Sequence, residues 1–136
     1  MAASVLVDAS FLVALLVPRD ENHLWAKGEA REHPISWLTC DAVLSETFYV
    51  AGRRLAPAVI ALLRRGALHS RFDLGANNAA VLDLMEKYAD VPMSLADACL
   101  VRMTEILAEP LVLTADADFR VYRRLGRQVV PCRTPG

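Results

Sequence analysis

Lysine is scarce: Lys27 and Lys87 are the two lysines among 15 basic residues, and the other thirteen are arginine. Charge of one sign is scarce too, since 16 acidic residues leave a net charge of −1, so no global polycation announces a nucleic-acid binder. Cys40, Cys99 and Cys132 are few, odd in number and far apart. They exclude a disulfide framework and a paired-cysteine zinc site, and they suit a reducing cytoplasm. His23, His33 and His69 are scattered with no HExxH spacing, so no zinc site of that kind is expected. The six glycines are dispersed and build no phosphate-binding loop. Ser10 and Ser45 lack the glycines of a nucleophile elbow. The longest apolar run, Phe11 to Val17, stops at Pro18-Arg19-Asp20, far short of the roughly 20 residues that span a membrane. A secretory leader is not expected either, because the basic n-region is missing and Asp8 interrupts the apolar stretch.

What the chain does have is apolar residues. They make up 54% of 136 positions, with a mean hydropathy of +0.29. That suits one domain over residues 1–136 with a full core and some apolar surface left for an oligomer contact. Short apolar runs at Val5–Val7, Ile35–Thr39, Leu111–Leu113 and Gln128–Val130 read as strands, with a weaker edge strand somewhere in 67–74. Helical patterns fill Ser10–Val17, Glu21–His33, a stretch from an Asp41 cap to Arg54, Pro57 to Gly66, Asn77 or Asn78 to Tyr88, Leu95–Ala108 and Phe119–Leu125. Residues 131–136 read as a frayed, flexible tail. Alternating strands and helices predict an α/β fold, a three-layer α/β/α sandwich with a mainly parallel central sheet.

Four carboxylates stand where the pattern is apolar. Asp8 ends Ser4-Val5-Leu6-Val7, and Asp116 follows Leu111-Val112-Leu113-Thr114-Ala115. Glu46 and Asp97 lie inside helical segments with apolar neighbours at helical spacing, so both are expected to face the interior or a cleft. An unpaired buried carboxylate costs several kcal/mol, roughly, so such groups are normally paired or bind a cation. Singly, each acid has an ordinary structural role: Asp8 as a helix cap, Glu46 paired with Arg53 or Arg54, Asp97 satisfied in the core, Asp116 in a turn. Together, with two of them at the C-terminal ends of strands, they predict one acidic pocket for Mg²⁺ or Mn²⁺ and phosphodiester chemistry. Arg53-Arg54, Arg64-Arg65 and Arg123-Arg124 with Arg127 offer forks for phosphate oxygens, or else are plain solvated helix faces.

Val7-Asp8-Ala9-Ser10, Val43-Leu44-Ser45-Glu46, Ser94-Leu95-Ala96-Asp97-Ala98 and Leu113-Thr114-Ala115-Asp116-Ala117-Asp118-Phe119, in this order, make the chain resemble a PIN-domain ribonuclease. More narrowly, it resembles the VapC toxins of bacterial toxin–antitoxin pairs. The resemblance implies Mg²⁺- or Mn²⁺-dependent cleavage of RNA in the cytoplasm, a homodimer and a small antitoxin partner. It makes Asp8, Glu46, Asp97 and Asp116 the acidic quartet, with Ser10 and Thr114 as accompanying hydroxyls. Asp118 is either a further ligand or the N-cap of the last helix, the cap being favoured. Two rival readings stay open: a non-catalytic RNA- or protein-binding module, and a phosphatase-like hydrolase with Asp8 as covalent nucleophile. Ser10 weakens the second, because a second aspartate is usual there.

Overall fold

The computed structural model describes residues 3–136. Strand β1 (Ser4–Val7) lies at the centre of a five-stranded sheet with β2 (Trp37–Thr39), β3 (Leu68–Ser70), β4 (Pro110–Leu113) and β7 (Cys132–Arg133). The order is β3-β2-β1-β4-β7 and every pairing is parallel. Parallel neighbours need helical crossovers, which cover both faces of the sheet. The burial shows it: Leu6 and Val7 point to opposite faces, yet both are fully buried, as are Val112 and Leu113 on β4. The three-layer α/β/α sandwich expected from the sequence is thus the observed fold.

The chain steps from β1 to β2 to β3 in one direction, then crosses back over β1 to place β4 on its other side. The gap between β1 and β4 is therefore the point where the winding reverses, and clefts form there at the C-terminal strand ends. Register fixes that edge: Val7 opposes Leu113, Asp8 N–H donates to the Leu113 carbonyl at 3.4 Å, and Thr39 Oγ1 donates to the Val7 carbonyl at 2.9 Å.

Helix α1 (Ala9–Leu16) follows β1 directly and buries Ala9, Phe11, Leu12 and Ala14. Phe11 meets Trp25 of α2 (His23–Glu32) and Trp37 of β2 edge-on, with ring centroids 5.9 and 5.5 Å apart. Helix α3 (Asp41–Arg64) joins the two helices expected across a kink, and the break falls at Gly52, ahead of the expected boundary at Arg54 to Pro57. Gly52 has φ +68°, a conformation that costs other residues about 1–2 kcal/mol, so glycine sets the break. Asp41 is the first residue of α3 and Cys40 its N-cap; the Asp41 side chain instead accepts from Ser70 Oγ. Helices α4 (Asn78–Lys87) and α5 (Leu95–Ile106) lie within a few residues of their expected limits.

The C-terminal third departs most from expectation. Phe119–Leu125 is no helix: a single 3₁₀ turn (Ala117–Arg120) leads into β5 (Arg123–Arg124), which pairs antiparallel with β6 (Gln128–Val129) in a small ribbon apart from the main sheet. The expected frayed tail contains the fifth strand of the sheet. Open backbone groups on β4 explain this: Val112 N–H donates to the Pro131 carbonyl (2.9 Å) and Thr114 N–H to the Arg133 carbonyl (3.2 Å). The Arg133 guanidinium then anchors to Glu29 Oε1 at 3.0 and 3.2 Å.

Candidate active site

Asp8 leaves β1 as the N-cap of α1, and only 6% of it is exposed. Its Oδ1 accepts from Phe11 N–H at 2.9 Å and from Ser10 Oγ at 2.7 Å; its Oδ2 accepts from Thr114 Oγ1 at 2.5 Å. Both hydroxyls are fixed from behind. Ala115 N–H donates to Ser10 Oγ and Asp116 N–H to Thr114 Oγ1, each at 2.9 Å. A hydroxyl has one proton, and each of these gives it to Asp8. The β1 and β4 ends are thereby locked around one carboxylate.

Burial still dominates over those donors. It pushes the Asp8 carboxyl up to about 6, and the nearby charge of Asp97 adds to the rise. Asp97 stands in the first turn of α5, where Ser94 Oγ caps its N–H at 3.0 Å. Burial raises the Asp97 carboxyl too, and the charges of Asp116 and Glu46 raise it further. Asp97 thus feels each of the other three acids, although they come from four separate segments. Asp116 caps the 3₁₀ turn, its Oδ1 accepting Asp118 N–H at 2.9 Å. The favoured reading of Asp118 is corrected here: Asp116 is the cap, and Asp118 sits inside the turn.

Glu46 faces a cleft, as expected, but from a solvent-exposed position. It lies on the exposed side of α3, lining a cleft of about 330 Å³ with Ser10, Asp20 and Ala115. Among the described residues it forms no ion pair, with Arg53, Arg54 or any other base. The four acids are close enough for their charges to interact, but Glu46 alone of them lines this cleft. Among the described residues, the one group of three Asp, Glu, His or Cys side chains whose ligand atoms all lie within 4.8 Å is found elsewhere. An all-oxygen set of this kind fits Mg²⁺ or Mn²⁺, which take one or two carboxylates directly and complete their shell with water and substrate oxygens. Raised Asp8 and Asp97 carboxyls point the same way, since a bound cation offsets both the burial that chiefly raises them and their mutual repulsion.

Tyr122, which the sequence analysis does not single out, reaches the quartet from the core. It is fully buried, and its hydroxyl donates to Asp97 Oδ2 at 2.8 Å. Tyr88 and Phe119 pack edge-on against it with centroids 5.2 Å away, and the Tyr88 hydroxyl accepts Arg123 N–H at 2.8 Å. Burial and Asp97 together push the Tyr122 phenol far up, so it stays a donor. Tyr122→Phe is expected to leave the fold intact while lowering divalent-cation affinity about 10–100-fold, because Asp97 loses the group that orients it. Mn²⁺ titration followed by water-proton relaxation would read this; unchanged affinity would make Tyr122 a packing residue only.

The arginines divide in two. Arg123 Nη1 donates to the carbonyls of Arg120, Val121 and Tyr122, and Arg124 to the Thr104 carbonyl and to Gln128. These guanidiniums hold the C-terminal ribbon in place and are not free forks for phosphate. Arg53, Arg54, Arg64 and Arg65 are exposed, with no ion pair among the described residues.

An open parallel sheet with an acidic cleft at its winding reversal is the framework of an α/β/α domain that works at its strand ends. Residues 5–125 match the family model of the PIN domain, and the chain belongs to that family. The fold is similar to that of VapC20 from Mycobacterium tuberculosis, a Sarcin-Ricin loop cleaving toxin, with a TM-score of 0.72 over 87% of this chain and 94% of that one. The two sequences are 23% identical, a likeness of fold. No curated protein matches the sequence.

Proposed function

We propose that the protein is a Mg²⁺- or Mn²⁺-dependent endoribonuclease and the toxin of a toxin–antitoxin pair. The observation that carries this reading is the electrostatic linkage of four carboxylates at the winding reversal, with Asp97 in the field of the other three. PIN-family membership supports it. Asp8, Asp97 and Asp116 would hold the cation, with Glu46 at the open rim. When bound, the cation supplies Lewis-acid stabilisation of phosphate charge and acidifies a water for attack. Glu46, exposed and unpaired, is suited to orient that water and take its proton. Tyr122 keeps Asp97 aimed, and the Ser10 and Thr114 hydroxyls keep Asp8 in place. Cleavage of this kind leaves a 5′-phosphate and a 3′-hydroxyl.

Arg53 and Arg54 stand just past the Gly52 break in α3, so exposed positive charge follows closely in the chain on the segment that carries the rim acid. It would hold the RNA backbone against a pocket that otherwise repels it. Leu24 and Tyr49 are 80% and 89% exposed, apolar surface that a second copy or an antitoxin would cover. The reading places the protein in the cytoplasm with RNA as substrate. Purified protein freed of any partner is expected to cut end-labelled total RNA with Mg²⁺ or Mn²⁺ and to stop in EDTA. Cutting that persists in EDTA would sink the metal mechanism. Folded protein that cuts nothing under either metal would favour a binding module.

A further inference from the structure

A polar cluster outside the acidic quartet is not used by the nuclease reading. It is built on the last turn of α2, where Glu29, Glu32 and His33 have i, i+3, i+4 spacing and face the same way. One ligand atom from each lies within 4.8 Å of the others. Glu29 is the telling member, because it is buried to all but 6%. Its Oε1 is taken by Arg133, but its Oε2 is buried with no hydrogen-bond partner. A buried carboxylate oxygen left without a partner costs about 1–3 kcal/mol or more. His33 Nε2 stands 3.4 Å from it. At that separation a direct hydrogen bond between the two is long, whereas a cation set between oxygen and nitrogen engages both at normal ligand distances.

We propose that Glu29, Glu32 and His33 bind one divalent first-row transition cation, of the Zn²⁺ type, at a site separate from the acidic cleft. The donor set decides the class of ion. One imidazole nitrogen with two carboxylates suits Zn²⁺, Co²⁺ or Ni²⁺ better than Mg²⁺, for which the all-oxygen quartet is the better host. Glu32 is exposed and His33 partly so, which leaves the ion an entry path and a position for water. The carbonyl end of α2 adds negative potential at the same place, with His33 as its C-cap. Arg133 works against a cation, but it engages the opposite oxygen of Glu29 and fixes that carboxylate in orientation. The histidine spacing rules applied to the sequence missed the site because it contains one histidine and no HExxH.

Co²⁺ is the probe, added to the full-length protein in excess Mg²⁺ so that the acidic cleft is already supplied. One equivalent of Co²⁺ is expected to give a visible d–d band that Zn²⁺ abolishes. His33→Ala and Glu32→Gln should each weaken Co²⁺ binding about tenfold or more. Asp97→Asn should leave the band unchanged, and Zn²⁺ should raise the Tm of the parent but not of His33→Ala. Circular dichroism in EDTA checks that His33→Ala folds; Glu32→Gln, at an exposed position, carries the test if it does not. No band in the parent, or a band that survives both substitutions, overturns the proposal. So does a band lost in Asp97→Asn, which would assign the ion to the cleft.

Discussion

Asp97→Asn is expected to lower RNA cleavage by at least about 100-fold while the protein folds as well as the parent. The substitution preserves shape, and the asparagine carbonyl can still accept the Tyr122 hydroxyl. What disappears is the one charge that interacts with Asp8, Asp116 and Glu46 together. Its removal weakens cation binding from the centre of the set, so the loss should appear in both metal affinity and turnover. It should also relieve the growth arrest that the parent protein is expected to cause when expressed without a partner. Cleavage within a few-fold of the parent rate, measured on end-labelled RNA at saturating Mn²⁺, would remove the quartet from the mechanism.

Asp8→Asn is expected to make the metal-free protein more stable at pH 7. The Asp8 carboxyl rises from 3.8 to about 6 on folding, mainly through burial. Between those values the folded state holds more protons than the unfolded one, so stability falls as pH rises through the window of about 4 to 6. At about 1.4 kcal/mol for each pH unit, the full cost present at pH 7 is about 3 kcal/mol. The substituted amide carries no charge to desolvate; its one oxygen still accepts from Ser10 and Phe11, less strongly, while its NH₂ faces Thr114, whose hydroxyl must turn to accept, so a net gain of about 1 kcal/mol is expected. Thermal melts should show the variant several degrees above the parent at pH 7 and near or below it at pH 4. Mg²⁺ should raise the parent's Tm and leave the variant's nearly unchanged. A variant less stable than the parent at pH 7 by the same margin as at pH 4 would show that the donors outweigh burial.

Much of the site was legible because parallel strands buried on both faces read as unbroken apolar runs. In such a setting the acids after Val7 and Ala115 stand out, and the α/β alternation follows. Glu46 was legible as a cleft residue, but the apolar neighbours around it gave no sign of how exposed it is there. Tyr122 escaped because an aromatic residue in an apolar stretch is core by default, and here it is core and a donor at once. The segment after Phe119 defeated periodicity altogether. Phe119 and Tyr122 are three residues apart, a spacing shared by an α-helix and a 3₁₀ turn. Strands of two residues, such as β5 and β7, carry no alternation to detect, and the strand read at 128–130 pairs in the ribbon as β6, outside the main sheet. The apparent tail became a strand through Glu29, some hundred residues away, which no local pattern reveals.

The hydrogen bonds around Asp8 also ration what it has left to give. A carboxylate has about four acceptor positions. Two on Oδ1 and one on Oδ2 are already occupied by fixed donors. One lone pair remains, on Oδ2, so Asp8 can offer an incoming ion a single bond and no chelating bite. Ca²⁺ commonly draws on bidentate carboxylates and six to eight ligands, whereas Mg²⁺ takes six and accepts single-oxygen contacts with water between them. The socket that holds Asp8 still would therefore filter ions by valence geometry, disfavouring Ca²⁺ before size or charge density comes into play.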